Sequence, residues 1–392
     1  MIKEVISIEM HPVTPACEVI IEWAEETAKY FGADFVLDTS SGDILYKIYQ
    51  DMRSNMKQFD SWRHRLKQFV KKLLFGGKNM SDVFPRYGRL RMRLNRPKMK
   101  MRQLERQNRF ANARIPKAEQ DFSSPLSIYY LNGAAEILAC DQKNCIPVVI
   151  DAWNDGCVKY LADSTKNLKL FYVTSRYIYD HIKAEDPNSN VRYMPLSVSD
   201  KHYSPNFERY RNKTVDVIQF GRRDPILHEY MLRYSAEHND VDYVYSSGNK
   251  GKRSDYLSTI RGNIGPVNGR DNFMQTLSGA KVSLVSSPGM DEHEPITYGV
   301  SFPTPRFYES AVLGCSLIGR YPDNQEFHEL NMSRYCPNIT SYDQFVHELE
   351  RALAMTPEEL YAQNHDFILN SLTSKRAEKI QKDLEELTCR NS

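Results

Sequence analysis

Arg306 and Glu309 stand three residues apart in TPRFYESAVLGCSLIGRYPD, residues 304–323. On a helix that spacing puts them on one face. Thr304 can cap such a helix and Pro305 can take its first position. A carboxylate in so apolar a stretch is costly to bury without a partner. Two roles fit equally well. Arg306 neutralises Glu309 in an intrahelical pair worth roughly 0.2–0.5 kcal/mol. Alternatively the pair serves a ligand, Glu309 accepting the two hydroxyls of a ribose while Arg306 meets a diphosphate beside the N–H groups of the helix start.

VIQFGRRDP offers a second anion site. A strand ends at Gly221, and Arg222 and Arg223 fill the turn before a helix capped by Asp224 with Pro225 first. The stretch is neither GxGxxG nor a P-loop. Two solvated surface arginines are the plainer reading. In RGNIGPVNGRDNF, Gly262, Gly265 and Gly269 either let a ligand approach or simply make turns, and Arg270 precedes a helix at about 271–279. PGMDEHEPITYG carries Asp291, Glu292, His293 and Glu294. Adjacent residues do not converge on one ion, and no HExxH or DxD spacing is present, so no metal is expected. This acidic loop could instead reach sugar hydroxyls.

The elements that must position these residues alternate along the chain. KEVISIEM, ADFVLDTS, LSIYYLN, IPVVIDA, LKLFYVT and VRYMPLS read as strands, with a helix over about 15–31 and helix-compatible spacers between most of them. The polar stretch SDKHYSPNFERYRNK suggests a boundary near 205–213. TVDVIQFG, VDYVYSS, KVSLVSS and CSLIGR are strands of a second unit, and Thr356 with Glu359 forms a capping box. Such alternation predicts an α/β protein of two doubly wound sheets, over 1–207 and 208–375. A C-terminal helix, 376–392, is expected to pack back on the first. Ligands of such sheets bind at the carboxyl ends of the strands, here in the cleft between the two units.

The 392 residues suffice for two full cores. Seven scattered cysteines with no CxxC pair argue against a disulfide framework or zinc site. Neither a signal-peptide core nor a bilayer-length apolar run is seen, so a cytoplasmic protein is expected. The net charge of +2 hides an imbalance: residues 53–118 carry 20 Lys and Arg against three acids. Within this insert SWRHRLKQFVKKLLFGG places Trp62, Leu66, Phe69, Val70, Leu73 and Leu74 at helical spacing, with Arg63, Arg65, Lys67, Lys71 and Lys72 between them. An apolar stripe with a cationic face fits a helix lying in an anionic membrane surface, making the protein peripheral on the inner face. Packing of the stripe on the core is the alternative. Nucleic acid fits less well, because the insert is poor in stacking aromatics and no HTH, RRM or KH signature occurs.

Three stretches in order resemble GT-B glycosyltransferases of the family-4-like group that includes the spore-maturation (CgeB-like) proteins. RYMPLSVSDKHYSP resembles that family's crossing between domains. VDVIQFGRRD resembles the first strand and turn of its nucleotide-sugar domain, and PRFYESAVLGCSLIG its R.fEalacGt.pl element. The resemblance runs from about 190 to the end; the first domain fits by pattern only. It implies two Rossmann-like domains facing a central cleft, and transfer of a sugar from a nucleotide-sugar to a glycan or lipid-linked acceptor in cell-surface polysaccharide or glycoconjugate synthesis. No cofactor is implied. Glu309 matches the family's ribose-holding glutamate and Arg306 the arginine before it, while Arg222 and Arg223 lie where donor-phosphate contacts are placed. Retaining members carry an E-x7-E pair, but here Ser301 stands eight residues before Glu309, which alters the contacts to the donor sugar. Retention is the implied outcome all the same. If the reaction inverts, a general base is needed in the first domain. His11, Asp151 and Asp155 follow strand ends there, although a loop histidine and helix-capping aspartates would look the same. A non-catalytic nucleotide-binding scaffold is the alternative that the missing glutamate leaves open.

Overall fold

A computed structural model of the chain describes residues 2–8, 15–39, 115–117, 120–153, 155–205, 208–247, 255–290, 297 and 300–389. The basic helix around Trp62, Arg63, Arg65, Phe69, Lys71 and Lys72 lies outside them, as do His11 and the 291–296 stretch with Glu292.

The first unit opens with β1 (Ile2–Ile8), α1 (Pro15–Phe31) and β2 (Asp34–Asp38). It continues with β3 (Leu126–Leu131), β4 (Cys145–Val149), β5 (Phe171–Val173) and β6 (Val191–Tyr193). The sheet order is β2-β1-β3-β4-β5-β6, with every pairing parallel. β3 and β4 are buried along their whole length, as continuous apolar runs in a sheet covered on both faces must be. Alternate residues therefore feed separate cores. Ile128 and Tyr130 join Val19, Ile20 and Trp23 of α1. Tyr129 and Leu131 join Leu161 of α2 (Asp155–Thr165) and Ile178 of α3 (Arg176–Glu185).

The connection to the second unit contains the one-turn α4 (Glu208–Arg211). Then come β7 (Val215–Gln219), α5 (Pro225–Glu237), β8 (Tyr243–Ser246), β9 (Asp255–Ser258), β10 (Gly262–Pro266), α6 (Arg270–Ser278) and β11 (Ala280–Ser286). α7 (Pro305–Val312), β12 (Ser316–Arg320), α8 (Gln325–Glu329), α9 (Tyr342–Ala354), α10 (Pro357–Ser371) and α11 (Thr373–Cys389) follow. The order is β10-β9-β8-β7-β11-β12. β8, β7, β11 and β12 run parallel, and β9 and β10 extend the edge antiparallel. That hairpin is not what the glycine-rich sequence suggests: Gly262 and Gly265 lie in strand β10, where the register slips between Asn263 and Gly265.

Capping accounts for several helix starts. Asp224 accepts from the backbone N–H groups of Ile226 and Leu227, each at 2.9 Å. Thr356 and Glu359 form a reciprocal capping box. Thr304 occupies the cap position of α7, but its side chain makes no capping bond.

α11 crosses back to the first sheet. Tyr172 of β5 donates to Asp383 at 2.7 Å, and Arg192 pairs with the same carboxylate. Arg376 donates to the carbonyls of Pro195 and Leu196 at 2.9 and 3.0 Å. Val198 and Leu372 bridge as strand neighbours. Two Rossmann-like sheets, joined by a linker and by a returning C-terminal helix, make up the GT-B arrangement.

Candidate functional site

Glu309 lies on the buried side of α7 and has no exposed surface. Arg306 holds one of its oxygens and Arg270, the first residue of α6, the other. Arg270 in turn donates through Nε and Nη2 to both oxygens of Glu22 on α1, at 3.1 and 2.9 Å. His202 and Lys201 of the linker meet the same carboxylate at 3.0 and 2.9 Å. Burial opposes the charge on Glu22, but hydrogen bonds from His202 and Arg270, with their charges, outweigh it and hold the carboxyl at about 2. The pairing of Arg306 with Glu309 is thus present, with a second arginine added. In this structure each Glu309 oxygen is held by an arginine, so the carboxylate anchors Arg306 and Arg270.

Arg306 itself keeps about a quarter of its side chain accessible, at 26 %. Its guanidinium lies over the Phe273 ring at 4.2 Å, and burial pulls its basicity down while Glu309 opposes that. Gly221 lies directly beside it: a Cβ there would stand 3.5 Å from Nε and Nη2 of Arg306, an ordinary contact, while φ of 74° is a conformation that glycine tolerates best. The next residue, Arg222, is exposed and close enough to raise the positive potential at Arg306. Arg223 turns the other way: it donates to the Ser246 carbonyl at 3.1 Å and lies over the Tyr245 ring at 5.7 Å. Arg222 and Arg306 therefore converge at the carboxyl end of β7 and the start of α7, and Arg223 is taken up by β8.

Asp151 belongs to the same region. It follows β4 with φ of 52°, a left-handed conformation unusual for a residue with a side chain. It is open to solvent yet walled by protein, and desolvation pushes its carboxyl up to about 7, with Arg222 of the second unit pulling the other way. It stands four residues before the first residue of α2, which removes the helix-cap explanation. Asp155 opens that helix. Beyond Asp151, Trp153 stacks on Phe302 of the second unit, with ring centroids 5.8 Å apart. Arg176 pairs with Glu329 at 2.6 Å, and Tyr193 donates to Glu326 at 2.8 Å, so contacts of both kinds join the units around the cleft.

Ser301 donates its hydroxyl to the Pro288 carbonyl at 2.6 Å and ties the loop after β11 to itself. Gly289 lies under that tie, where a Cβ would meet the Val300 carbonyl at 2.6 Å. Glu22 and Arg270 escaped the sequence reading as site residues. Their signals were a glutamate inside VIIEWAEE and an arginine directly after the helix-opening Gly269. Neither signal names its partner, 248 positions away.

Among the described residues, no group of three or more His, Cys, Asp or Glu side chains is placed to hold a metal ion, and no helix is long and apolar enough to cross a membrane. No protein-family model and no curated protein matches the sequence. Solved structures do resemble it. The trehalose-6-phosphate synthase OtsA is 12% identical with TM-score 0.49, over 98% of this chain and 99% of its own. A putative UDP-N-acetylglucosamine 2-epimerase from Listeria monocytogenes is 11% identical with TM-score 0.47, over 100% and 98%. The pneumococcal O-GlcNAc transferase GtfA, in complex with UDP and GlcNAc, is 12% identical with TM-score 0.41, over 69% of this chain and only 58% of its own. These three scores lie below 0.5.

Proposed function

We propose that this chain is a glycosyltransferase that moves a sugar from a nucleotide-sugar donor to a glycan or lipid-linked acceptor. The observation that carries the reading is the convergence of Arg222 and Arg306 at the carboxyl end of the second sheet, within electrostatic reach of Asp151 at the carboxyl end of the first. Carboxyl ends are where doubly wound sheets hold ligands.

Departure of a nucleoside diphosphate develops negative charge. Arg222 and Arg306, with the N–H groups opening α7, supply the opposing charge, and Gly221 allows the backbone to come close. Glu309 and Arg270 fix Arg306 in place, which limits the reorganisation needed as charge develops. Asp151 stands on the acceptor side and takes the acceptor hydroxyl's proton. A base there, with Ser301 where the related retaining enzymes carry a carboxylate, favours inversion over the retention that the resemblance implies. Displacement at the anomeric carbon then joins the acceptor oxygen to the sugar and frees the diphosphate.

A non-catalytic nucleotide-binding scaffold is the second reading, favoured by one observation: the Ser301 hydroxyl is spent on Pro288. Incubation with UDP-, GDP-, dTDP-, CMP- and ADP-sugars separates the two. Release of free nucleotide that is lost in Asp151→Asn supports transfer; binding with no release in any mixture supports the scaffold.

The basic excess of residues 53–118 supports their binding to an anionic membrane surface as part of this reading. Deleting them should abolish sedimentation with phosphatidylserine vesicles, and sedimentation that persists contradicts the assignment.

A further inference from the structure

Glu136 sits in the 3-10 turn Ala134–Cys140, directly after β3. It is buried, at 3% exposure, and one oxygen accepts the Asn132 backbone N–H at 2.5 Å. The other oxygen, Oε1, is enclosed with no hydrogen-bond partner. Among the described residues this carboxyl has no ion pair, and the charged group acting on it is Asp151, another acid.

Topology puts the two together. β3 and β4 are parallel neighbours with Leu131 opposite Val149, and the Ile150 N–H donates to the Leu131 carbonyl at 2.8 Å. Asn132 and Asp151 thus leave the sheet side by side at its carboxyl edge. One carboxyl of the pair opens to the cleft toward Arg222; the other is enclosed. Two neighbouring carboxyls served by a single cation do not both ionise readily, and the enclosed one loses more by charging.

We propose that Glu136 and Asp151 form a coupled carboxyl pair at the acceptor side of the cleft, in which Glu136 is the positioning residue that keeps a proton while Asp151 acts as the base. The inference rests on the transferase reading for its purpose, and not for its test. A neutral Glu136 keeps its bond to Asn132 and lets Asp151 carry the pair's single negative charge opposite Arg222. Once Glu136 also ionises, that arrangement fails, and the base works only in the window between the two ionisations. Burial raises Glu136 to about 8, the Asn132 N–H opposes this and Asp151 adds to it. Other titratable groups beside this turn are Cys140 on it, Cys145 on β4, Tyr129 on β3 and Tyr160 on α2, all buried, and the half-buried Asp141 that caps its end. Burial pushes Cys140, Tyr129 and Tyr160 upward, so they stay neutral across the window. Lys159 and Asp163 of α2 are exposed.

The test is a side-chain 13C carboxyl titration of the whole chain, as wild type, Asp151→Asn and Glu136→Gln, followed from pH 4 to 10. Glu136 should titrate far above an ordinary glutamate, and its midpoint should fall by at least about half a pH unit in Asp151→Asn as the like charge is removed. Glu136→Gln should leave Asp151 with a single ionisation and should remove the alkaline limb of the kcat profile while leaving KM for the donor unchanged. A wild-type Glu136 that titrates near 4, or a midpoint unmoved by Asp151→Asn, overturns the pairing. The carboxyl titrations need no turnover, so they stand even if sugar transfer is not found.

Discussion

Glu22 and Glu309 belong to different domains and share one arginine, Arg270, whose guanidinium is only 8% exposed. Together with Arg306 this makes a buried line of alternating charge from α1 to the start of α7. Removing one member of such a line leaves an uncompensated buried charge, which costs about 3–5 kcal/mol. Arg270→Ala and Glu309→Ala should each lose that much by urea unfolding, far more than the intrahelical pair alone would contribute. Combining Arg270→Ala with Glu22→Ala should cost clearly less than the sum of the two single losses, because the partners act as a unit.

The same line predicts an acid transition. The carboxyl of Glu22 falls from its ordinary 4.5 to about 2 in the folded chain. A depressed carboxyl contributes stability that is complete above its unfolded value and is lost as pH drops through the folded one. A shift of this size corresponds to about 3 kcal/mol. Wild-type stability should therefore fall between about pH 4.5 and 2, and Glu22→Gln, weaker at neutral pH, should show a shallower fall over that window. Parallel slopes for the two proteins in guanidinium titrations across that range would count against this role.

Much of the frame was legible in the sequence. Apolar runs such as Leu126–Leu131 and Val215–Gln219 became buried parallel strands, because such runs have few other ways to hide both faces. Asp224 and the Thr356–Glu359 box marked helix starts by local chemistry that needs no distant partner. The β9–β10 hairpin was hidden because Gly262 and Gly265 give no apolar alternation. Of the site, Arg222 and Arg306 were visible as cations in anion-binding turns. Arg223 looked equivalent, and only packing against Tyr245 separates it from its neighbour. Arg270 and Glu136 stayed hidden because their roles depend on residues brought near by the fold.

Gly221→Ala tests the close approach at the phosphate side. A φ of 74° costs a residue with a Cβ about 1–2 kcal/mol, and the added methyl would sit in ordinary contact with Arg306, so the cost comes from the backbone. Thermal unfolding should fall by a few degrees. Nucleotide affinity should fall about tenfold or more, a combination that a remote loop glycine would not give.

Asp151 sets a pH limb. Its carboxyl, raised to about 7 by desolvation against the pull of Arg222, is charged only above that value. As a base it should make kcat rise as pH increases through about 7. Arg222→Ala removes the opposing cation and should shift this limb to higher pH. A limb near 4, or one that moves to lower pH in Arg222→Ala, contradicts the assignment.

The central claim is that Arg222 and Arg306 hold the diphosphate of a nucleotide. Thermal shift with UDP, GDP, dTDP, CMP and ADP, on wild type and on Arg222→Ala, tests it most directly. The ligand-free transition of each protein serves as its own baseline. Stabilisation of wild type by one of the diphosphates, reduced or absent in Arg222→Ala, is the predicted result. No stabilisation by any of the five, or equal stabilisation of both proteins, would contradict it.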